Sequence, residues 1–433
     1  MTERDIKFQA FVEDDNANNF GRIVNACNES LFMFEHPAVS GLFEKQYLTQ
    51  CLAHAVTFSE FYKPYAKFKS LQDFPIVNKQ VLRDHWDEIA VKEYADAPGT
   101  RTKHTSGSTG TPFTMVFDRV KNARTIADRK VIHEIVGVRS HDKMVFIMDT
   151  VRDRQIPKER MERDNVYYLE CPSFDEVSLQ NLLDYCVKNE VVTLVALASF
   201  YDGLAYYVNS GKAPKWAGHM IGCFSQSETL KPATKKVVEQ YLQCPLYSYY
   251  ANEENGPMAQ EDGTEFGHRV NTGSYFFEVL KMDSDEPAED GELGRLVITD
   301  YFNRAFPIIR YENGDLVAKK TLPDGRVYFT KIGGRQTDAL YMKDGSIANV
   351  FNVMSFVEPF TDIKQFQIIQ NDYQDFTWVL NTTNHSYEEF IIKESKALFG
   401  DDVEIKFEYV DEIPKLQSGK RRMTICNIKD KLK

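Results

Sequence analysis

The chain has 433 residues, 42 % of them hydrophobic and 27 % charged, a mixture that excludes a disordered polar chain and a length that exceeds one ordinary core, so two or more domains are expected. The formal net charge of -12 opposes binding to nucleic acid or to an anionic membrane, and neither is an expected partner, although a locally positive pocket can still take a small anion. The seven cysteines are odd in number and form no C-x-x-C pair or Cys/His cluster with metal spacing, so reduced thiols and no zinc site are expected.

The N-terminal stretch is charged and holds no apolar run, unlike a secretory leader. The longest apolar stretch, Val191 to Phe200, is too short to cross a bilayer. A cytoplasmic protein is expected. Residues 15–70 read as helices, with Ile23, Cys27 and Leu31, then Leu42, Tyr47, Leu48 and Cys51, at helical spacings.

From about residue 90 to 300 the texture alternates. Strand-like runs 143–148, 191–197, 218–224 and 245–250 are separated by helical runs 178–189 and 232–242, the pattern of an α/β sheet. Residues 266–345 are richer in strands and turns. The pairs Asp290-Gly291, Asn313-Gly314, Asp324-Gly325 and Asp344-Gly345 read as turns between runs such as 295–299 and 327–330. The remainder alternates again, with strands expected at 365–370, 377–381 and 403–409 and a helix at 387–398. The fold class is therefore α/β: a large N-terminal sheet domain with a β-rich subdomain, residues 1–333, and a small mobile C-terminal α+β domain, residues 334–433.

The stretch with the clearest chemistry is His104-Thr105-Ser106-Gly107-Ser108-Thr109-Gly110-Thr111-Pro112. Thr105 to Gly110 holds only hydroxyl residues and glycines. Glycines let successive N–H groups turn toward an anion, and the hydroxyls of Thr105, Ser106, Ser108 and Thr109 add donors, which suits a triphosphate. It lacks the Gly-Lys-Ser/Thr ending of a Walker loop. The other reading is a flexible linker, which the β-prone run 113–117 directly after it disfavours.

Thr105–Pro112 resembles the phosphate-binding loop of the acyl-adenylate-forming (AMP-binding) superfamily, which includes acyl-CoA synthetases, luciferases and peptide-synthetase adenylation domains. Further segments follow in that superfamily's order. Gln226-Ser227-Glu228 resembles the segment that packs on adenine. Tyr249-Tyr250-Ala251-Asn252-Glu253 resembles Tyr-Gly-x-Thr/Ser-Glu, and Tyr311-Glu312-Asn313-Gly314-Asp315 resembles Tyr-x-Thr-Gly-Asp. Gly334-Arg335-Gln336-Thr337-Asp338 resembles Gly-Arg-x-Asp-Asp, and Pro414-Lys415-Leu416-Gln417-Ser418-Gly419-Lys420 resembles Pro-Lys-Thr-x-x-Gly-Lys. Glu253-Glu254-Asn255-Gly256-Pro257 and the short chain look like the phenylacetate–CoA ligase family. The wording of the 105–113 loop looks like that family's capsular-polysaccharide branch.

The resemblance implies a ligase that joins a carboxylic acid to AMP, releases pyrophosphate from ATP and passes the acyl group to a thiol. It implies ATP and Mg²⁺, with CoA as a candidate acceptor and an amine or a carrier protein as the alternative. A homodimer is compatible with it. The rival of another class is a regulatory nucleotide-binding protein with a degenerate site.

Residue by residue, Glu253 would hold Mg²⁺, since a hard cation takes carboxylate oxygen; locally it also reads as a solvated loop acid. Lys420 would neutralise the reacting anions, or belong to a solvated basic tail. Asp315 would accept the ribose hydroxyls, or serve as a turn aspartate. Tyr249 would stack on adenine, or end a strand in the core. Gln226, Ser227, Glu228, Asn252 and Arg335 are the other nucleotide candidates, and residues 334–338 form the expected hinge.

The acyl pocket is expected around Ser199, Phe200, Tyr201 and Tyr250. Phe200 and Tyr201 read equally as core. Asp202 would meet an amine on the acid or cap the helix that follows. Tyr250 stands where the superfamily has glycine, Asn252 where it has Thr/Ser, and Thr337 where it has an acid. Gly345 falls one residue late for the pantetheine tunnel, which counts against CoA.

Overall fold

The computed structural model describes residues 1–104, 113–148, 156–171, 174–335, 340–344, 347–348, 356–357, 360, 362–414 and 422–428. The phosphate-loop candidates Thr105, Ser106, Gly107, Ser108, Thr109 and Gly110, the hinge residues 336–338, Gly345 and Lys420 lie outside the described residues, as does the side chain of Arg335.

Three helices open the chain, Glu3–Asn19, Arg22–Glu35 and Pro37–Phe58. Thr2 and Asp5 cap the first reciprocally: the Thr2 hydroxyl accepts from the Asp5 N–H, and the Asp5 carboxylate accepts from the Thr2 N–H. Asp15, buried within the first helix, accepts from the N–H groups of Ile23 and Val24 at 3.0 Å each. One carboxylate thus satisfies the otherwise orphaned donors at the start of the second helix.

The strands, in chain order, begin with β1 (Arg101–His104), β2 (Thr114–Phe117), β3 (Met144–Met148), β4 (Val166–Glu170), β5 (Thr193–Leu197) and β6 (Gly222–Gln226). Next come β7 (Leu246–Asn252), β8 (Gly256–Glu261), β9 (His268–Val270), β10 (Tyr275–Leu280), β11 (Leu293–Asp300), β12 (Tyr311–Thr321) and β13 (Val327–Arg335). The last are β14 (Leu340–Tyr341), β15 (Ile347–Ala348), β16 (Gln365–Asp372), β17 (Asp375–Asn381), β18 (Glu404–Tyr409) and β19 (Thr424–Cys426).

They pack in two compact units, Met1–Met144, Ile156–Tyr167 and Tyr247–Ile332 forming one, and Val145–Gln155, Tyr168–Leu246 and Gly333–Lys433 the other. In the first unit the strand order is β10-β11-β12-β13-β9-β8-β7, with antiparallel pairs β10/β11, β11/β12, β13/β9, β8/β9 and β7/β8. Helix Arg119–Glu134 carries nine buried residues, from Lys121 to His133. Asp118 caps it, accepting from the Val120 and Lys121 N–H groups, and holds the loop at Arg304 through a 2.9 Å bond from the Arg304 N–H.

In the second unit the order is β6-β5-β3-β4, and parallel β5 and β6 are joined through helix Ala198–Asn209. Its C-terminal part has a separate four-stranded sheet, β18-β17-β16-β19, with helix Glu388–Phe399. Trp378, Phe366, Ile368, Phe376, Ile391 and Phe399 belong to its own core. The α/β class, the β-rich part and the small C-terminal α+β part all stand as the pattern predicts.

Two local readings are corrected. Asn313-Gly314 is not a turn between strands. Both residues lie inside β12, where Asn313, Gly314 and Asp315 together oppose Leu296 of β11: Val297 pairs with Glu312, and Arg295 with Leu316. A β-bulge takes up the extra residues, and Gly314 at φ +83° permits the bend. Asp202 does not cap the helix that follows it either. It lies inside Ala198–Asn209, accepts from the Thr234 hydroxyl and pairs with Lys231 at 3.1 Å. Lys231 also lies over the Phe366 ring at 5.7 Å, and Lys364 over the Tyr206 ring at 4.4 Å. These contacts fasten β16 to helices Ala198–Asn209 and Pro232–Leu242.

The seven cysteines are free thiols. Burial pushes the imidazoles of His133 and His141 down to about 3 from 6.5. Their folded values lie below the unfolded one, so their stabilising contribution is complete above about pH 6.5 and is lost as pH falls from there toward 3. Unfolding free energy between those limits is expected to fall less steeply in His133→Gln than in the parent, by up to about 1.4 kcal/mol per pH unit. Urea titrations at a series of pH values measure this, and identical slopes would refute it.

Candidate functional site

In the first unit, β7 and β8 are joined by a tight turn that carries Glu253, Glu254 and Asn255. The Asn252 side-chain oxygen accepts from the Asn255 N–H at 2.7 Å and closes the turn. Gly256 completes it at φ +107°, where an added Cβ would lie 3.1 Å from Thr125 Cγ2. A buried chain of polar groups supports it from beneath. The Tyr275 hydroxyl donates to the Asn255 carbonyl at 2.6 Å and accepts from Lys121 Nζ at 3.1 Å. Lys121, wholly buried, pairs with Asp300 at 2.5 Å. Burial pushes the Asp300 carboxyl above its usual range, against the opposing pull of Lys121.

The two glutamates of the turn differ in surroundings. Glu254 is buried, pairs with Lys79 at 3.0 Å and accepts from the Tyr311 hydroxyl at 3.3 Å. Glu253 is exposed, and among the described residues no cation or donor engages its carboxylate. It is an oxygen donor in place for a hard cation, so the residues present fit Mg²⁺.

Tyr249 and Tyr250 point to opposite faces of β7. Tyr249 is 7 % exposed, with its ring 6.3 Å from that of His133. That is the core environment rather than an open stacking face. Tyr250 is half-buried, its ring edge-on to Phe329 at 6.3 Å. Its hydroxyl donates to Asp315 Oδ2 and accepts from Asn313 Nδ2 at 2.7 Å. Asn313 Nδ2 also donates to Asp315 Oδ2 at 2.9 Å, and Asn313 Oδ1 accepts from the Asp315 N–H at 2.9 Å. The excursion in β12 thus gathers Tyr250, Asn313 and Asp315 into one closed cluster.

In the second unit, Ser199 and Glu228 come together. The Glu228 carboxylate accepts from the Ser199 N–H at 2.8 Å, in the first turn of helix Ala198–Asn209, where a negative charge is favoured. Gln226 ends β6, and Ser227 follows at φ +67°. Such a left-handed conformation is uncommon outside glycine, and here it is shared with helix-ending residues such as Phe20, Asn165 and Gln243. Phe200 and Tyr201 are buried, and the Tyr201 hydroxyl donates to the Leu194 and Phe224 carbonyls at 3.1 and 3.2 Å. These two residues stand in core surroundings.

Sequence reasoning passed over Asn313, Glu254, Lys79, Lys121 and Tyr275. Asn313 had a local signal in the Asn-Gly-Asp pattern; Lys79, Lys121 and Tyr275 are far from their partners in sequence and had none. Among the described residues no His/Cys/Asp/Glu group forms a ready metal cage, and no helix is long and apolar enough to cross a membrane.

Residues 340–427 match the family model described as the CapK C-terminal domain. The chain is 25 % identical over 402 residues to Protein CapK of Staphylococcus aureus, covering 86 % of each. Among solved structures it superposes on a 2-hydroxyisobutyryl-CoA ligase in the postadenylation state, with a TM-score of 0.68 at 17 % identity, over 90 % of this chain and 92 % of that one. It also superposes on the amide bond synthetase McbA from Marinactinospora thermotolerans, with a TM-score of 0.53 at 12 % identity, over 72 % and 66 %. The fold is thus shared with these ligases, and the sequence is similar to CapK.

Proposed function

We infer that this chain, similar to CapK in sequence and to adenylate-forming ligases in fold, activates a carboxylic acid with ATP. The observation that carries the reading is the pairing, in one unit, of a Glu253 carboxylate unengaged among the described residues with the ordered Tyr250–Asn313–Asp315 cluster. A triphosphate with its cation and a ribose need acceptors of these two kinds.

In the reaction an oxygen of the acid attacks the α-phosphorus. The new P–O bond gives acyl-AMP as the bond to pyrophosphate breaks, and the acceptor then takes the acyl group with release of AMP. Asp315 accepts from the ribose hydroxyls, and Glu253 would hold Mg²⁺, which would supply charge to offset that of the phosphates. Thr105–Gly110 supplies donors to the β- and γ-phosphates, and Lys420 supplies the cation at the attacking carboxylate. Gln226, Ser227 and Asn252 border the nucleotide, with Arg335, while Glu228 orders the Ser199 end of the acid pocket. Residues 1–333 form the adenylating domain and 334–433 the lid. The proposed acceptor is a thiol; the displaced register of Gly345 favours an amine or a carrier protein as the second reading.

The test is a panel of carboxylic acids assayed for acid-dependent pyrophosphate release from ATP, with CoA, with hydroxylamine and with neither. Release with no acid in the panel, together with no ATP binding, would overturn the reading. Glu253→Gln keeps the shape of the turn and removes the charge. It is expected to raise the Mg²⁺ concentration for half-maximal rate by about tenfold or more. An unchanged Mg²⁺ dependence would remove Glu253 from this role.

A further inference from the structure

We propose that Tyr250 is a positioning residue for the nucleotide sugar: its hydroxyl fixes the Asp315 carboxylate and thereby sets how strongly the protein distinguishes ribose from deoxyribose nucleotides. The proposal rests on the reading of Asp315 as the sugar acceptor.

The geometry is specific. Tyr250 stands on β7 and Asp315 on β12, with β8, β9 and β13 between them in the sheet order. Strands so far apart along a flat sheet are beyond the reach of one side chain, so the contact requires the sheet to curl, and the phenol meets Asp315 with its ring edge-on to Phe329 of β13. The hydroxyl proton goes to Asp315 Oδ2, and a lone pair takes one hydrogen of the Asn313 amide. The other amide hydrogen goes to the same Asp315 Oδ2, and the Asn313 oxygen takes the Asp315 N–H. Tyr250, Asn313 and Asp315 Oδ2 therefore close a ring of hydrogen bonds. These bonds orient the carboxylate before any ligand arrives.

A hydrogen bond to a charged group is stronger than one between neutral groups. A carboxylate already oriented loses less freedom when a diol binds. A site built to hydrogen-bond a hydroxyl also discriminates well against a ligand that lacks it. Removing the Tyr250 hydroxyl should therefore weaken binding of a ribose nucleotide while barely touching a deoxyribose one. Phenylalanine keeps the ring and its edge-on contact with Phe329 and removes only the hydroxyl.

The experiment is calorimetric titration of the full chain with ATP, 2′-deoxy-ATP and 3′-deoxy-ATP, which needs no knowledge of the acid. It compares the parent, Tyr250→Phe, Asp315→Asn and the double variant, each checked by thermal unfolding. Tyr250→Phe is expected to weaken ATP binding by about tenfold, to weaken binding of at least one deoxy analogue by much less, and to add little on top of Asp315→Asn. Equal losses for all three nucleotides, or independent effects of the two substitutions, would overturn the proposal while leaving the ligase reading intact. Failure of the parent to bind any of the nucleotides would overturn the ligase reading and this proposal with it.

Discussion

Lys420→Ala is expected to slow acyl-AMP formation by about two orders of magnitude or more while ATP affinity stays close to that of the parent. The reaction brings a carboxylate against a triphosphate, so a cation must act where charge accumulates. The lysines around the turn and its support are already engaged, Lys79 by Glu254 at 3.0 Å and Lys121 by Asp300 at 2.5 Å. The reacting groups need another one, and the Pro-Lys-x-x-x-Gly-Lys spacing nominates Lys420. Single-turnover formation of acyl-AMP, measured beside ATP binding on the same preparation, decides the matter. A near-normal rate would sink the assignment, and loss of ATP binding in parallel would make Lys420 a ground-state contact instead.

Lys121→Met is expected to destabilise the first unit by about 3–5 kcal/mol, because it strands the buried Asp300 carboxylate without its cation. The neighbouring N–H groups of Phe302 and Asn303, at 2.9 and 3.3 Å, compensate only in part. The double variant Lys121→Met/Asp300→Asn should recover much of the loss, since no charge is then left buried. Urea unfolding of the four proteins closes the cycle. Equal destabilisation in the single and double variants would mean that packing, not charge, dominates. The same ammonium holds Tyr275, which holds the Asn255 carbonyl, so a weaker Mg²⁺ response should accompany the loss of stability.

The broad architecture was legible because it follows from periodicity. The strand–helix alternation that places β5, Ala198–Asn209 and β6 is written into local hydrophobic spacing, and helix Pro232–Leu242 begins and ends where its proline and apolar pattern put it. The candidate site was legible through short motifs that carry Glu253 and Asp315. What could not be read were relations between distant residues. Nothing near Tyr250 announces that its hydroxyl ends at Asp315, and nothing near Lys121 distinguishes a fully buried lysine from a surface one on an amphipathic helix. Asn313-Gly314 was misread for a related reason: its local preference for a bend is real, but pairing with β11 on both sides keeps it inside a strand. Asp202 looked like a cap because its partners, Thr234 and Lys231, lie beyond the reach of local sequence.

The excursion in β12 separates what the fold needs from what the site needs. On either side of it the pairing with β11 is regular, and Leu316, Val317 and Ala318 resume buried positions. Because Asn313, Gly314 and Asp315 face one residue where one would suffice, the surplus is even, and side chains beyond it keep the faces that an uninterrupted strand would give them. A shortened chain could close the ladder with its core unchanged and lose only the carboxylate's address. The converse also holds: related chains that keep the sheet can exchange the contents of this insert without renegotiating the core. On the proposed reading of Asp315 as the sugar acceptor, drift in ligand preference has a place to occur at little cost to folding, and this three-residue stretch, rather than the strands around it, is where divergence of specificity should first be sought.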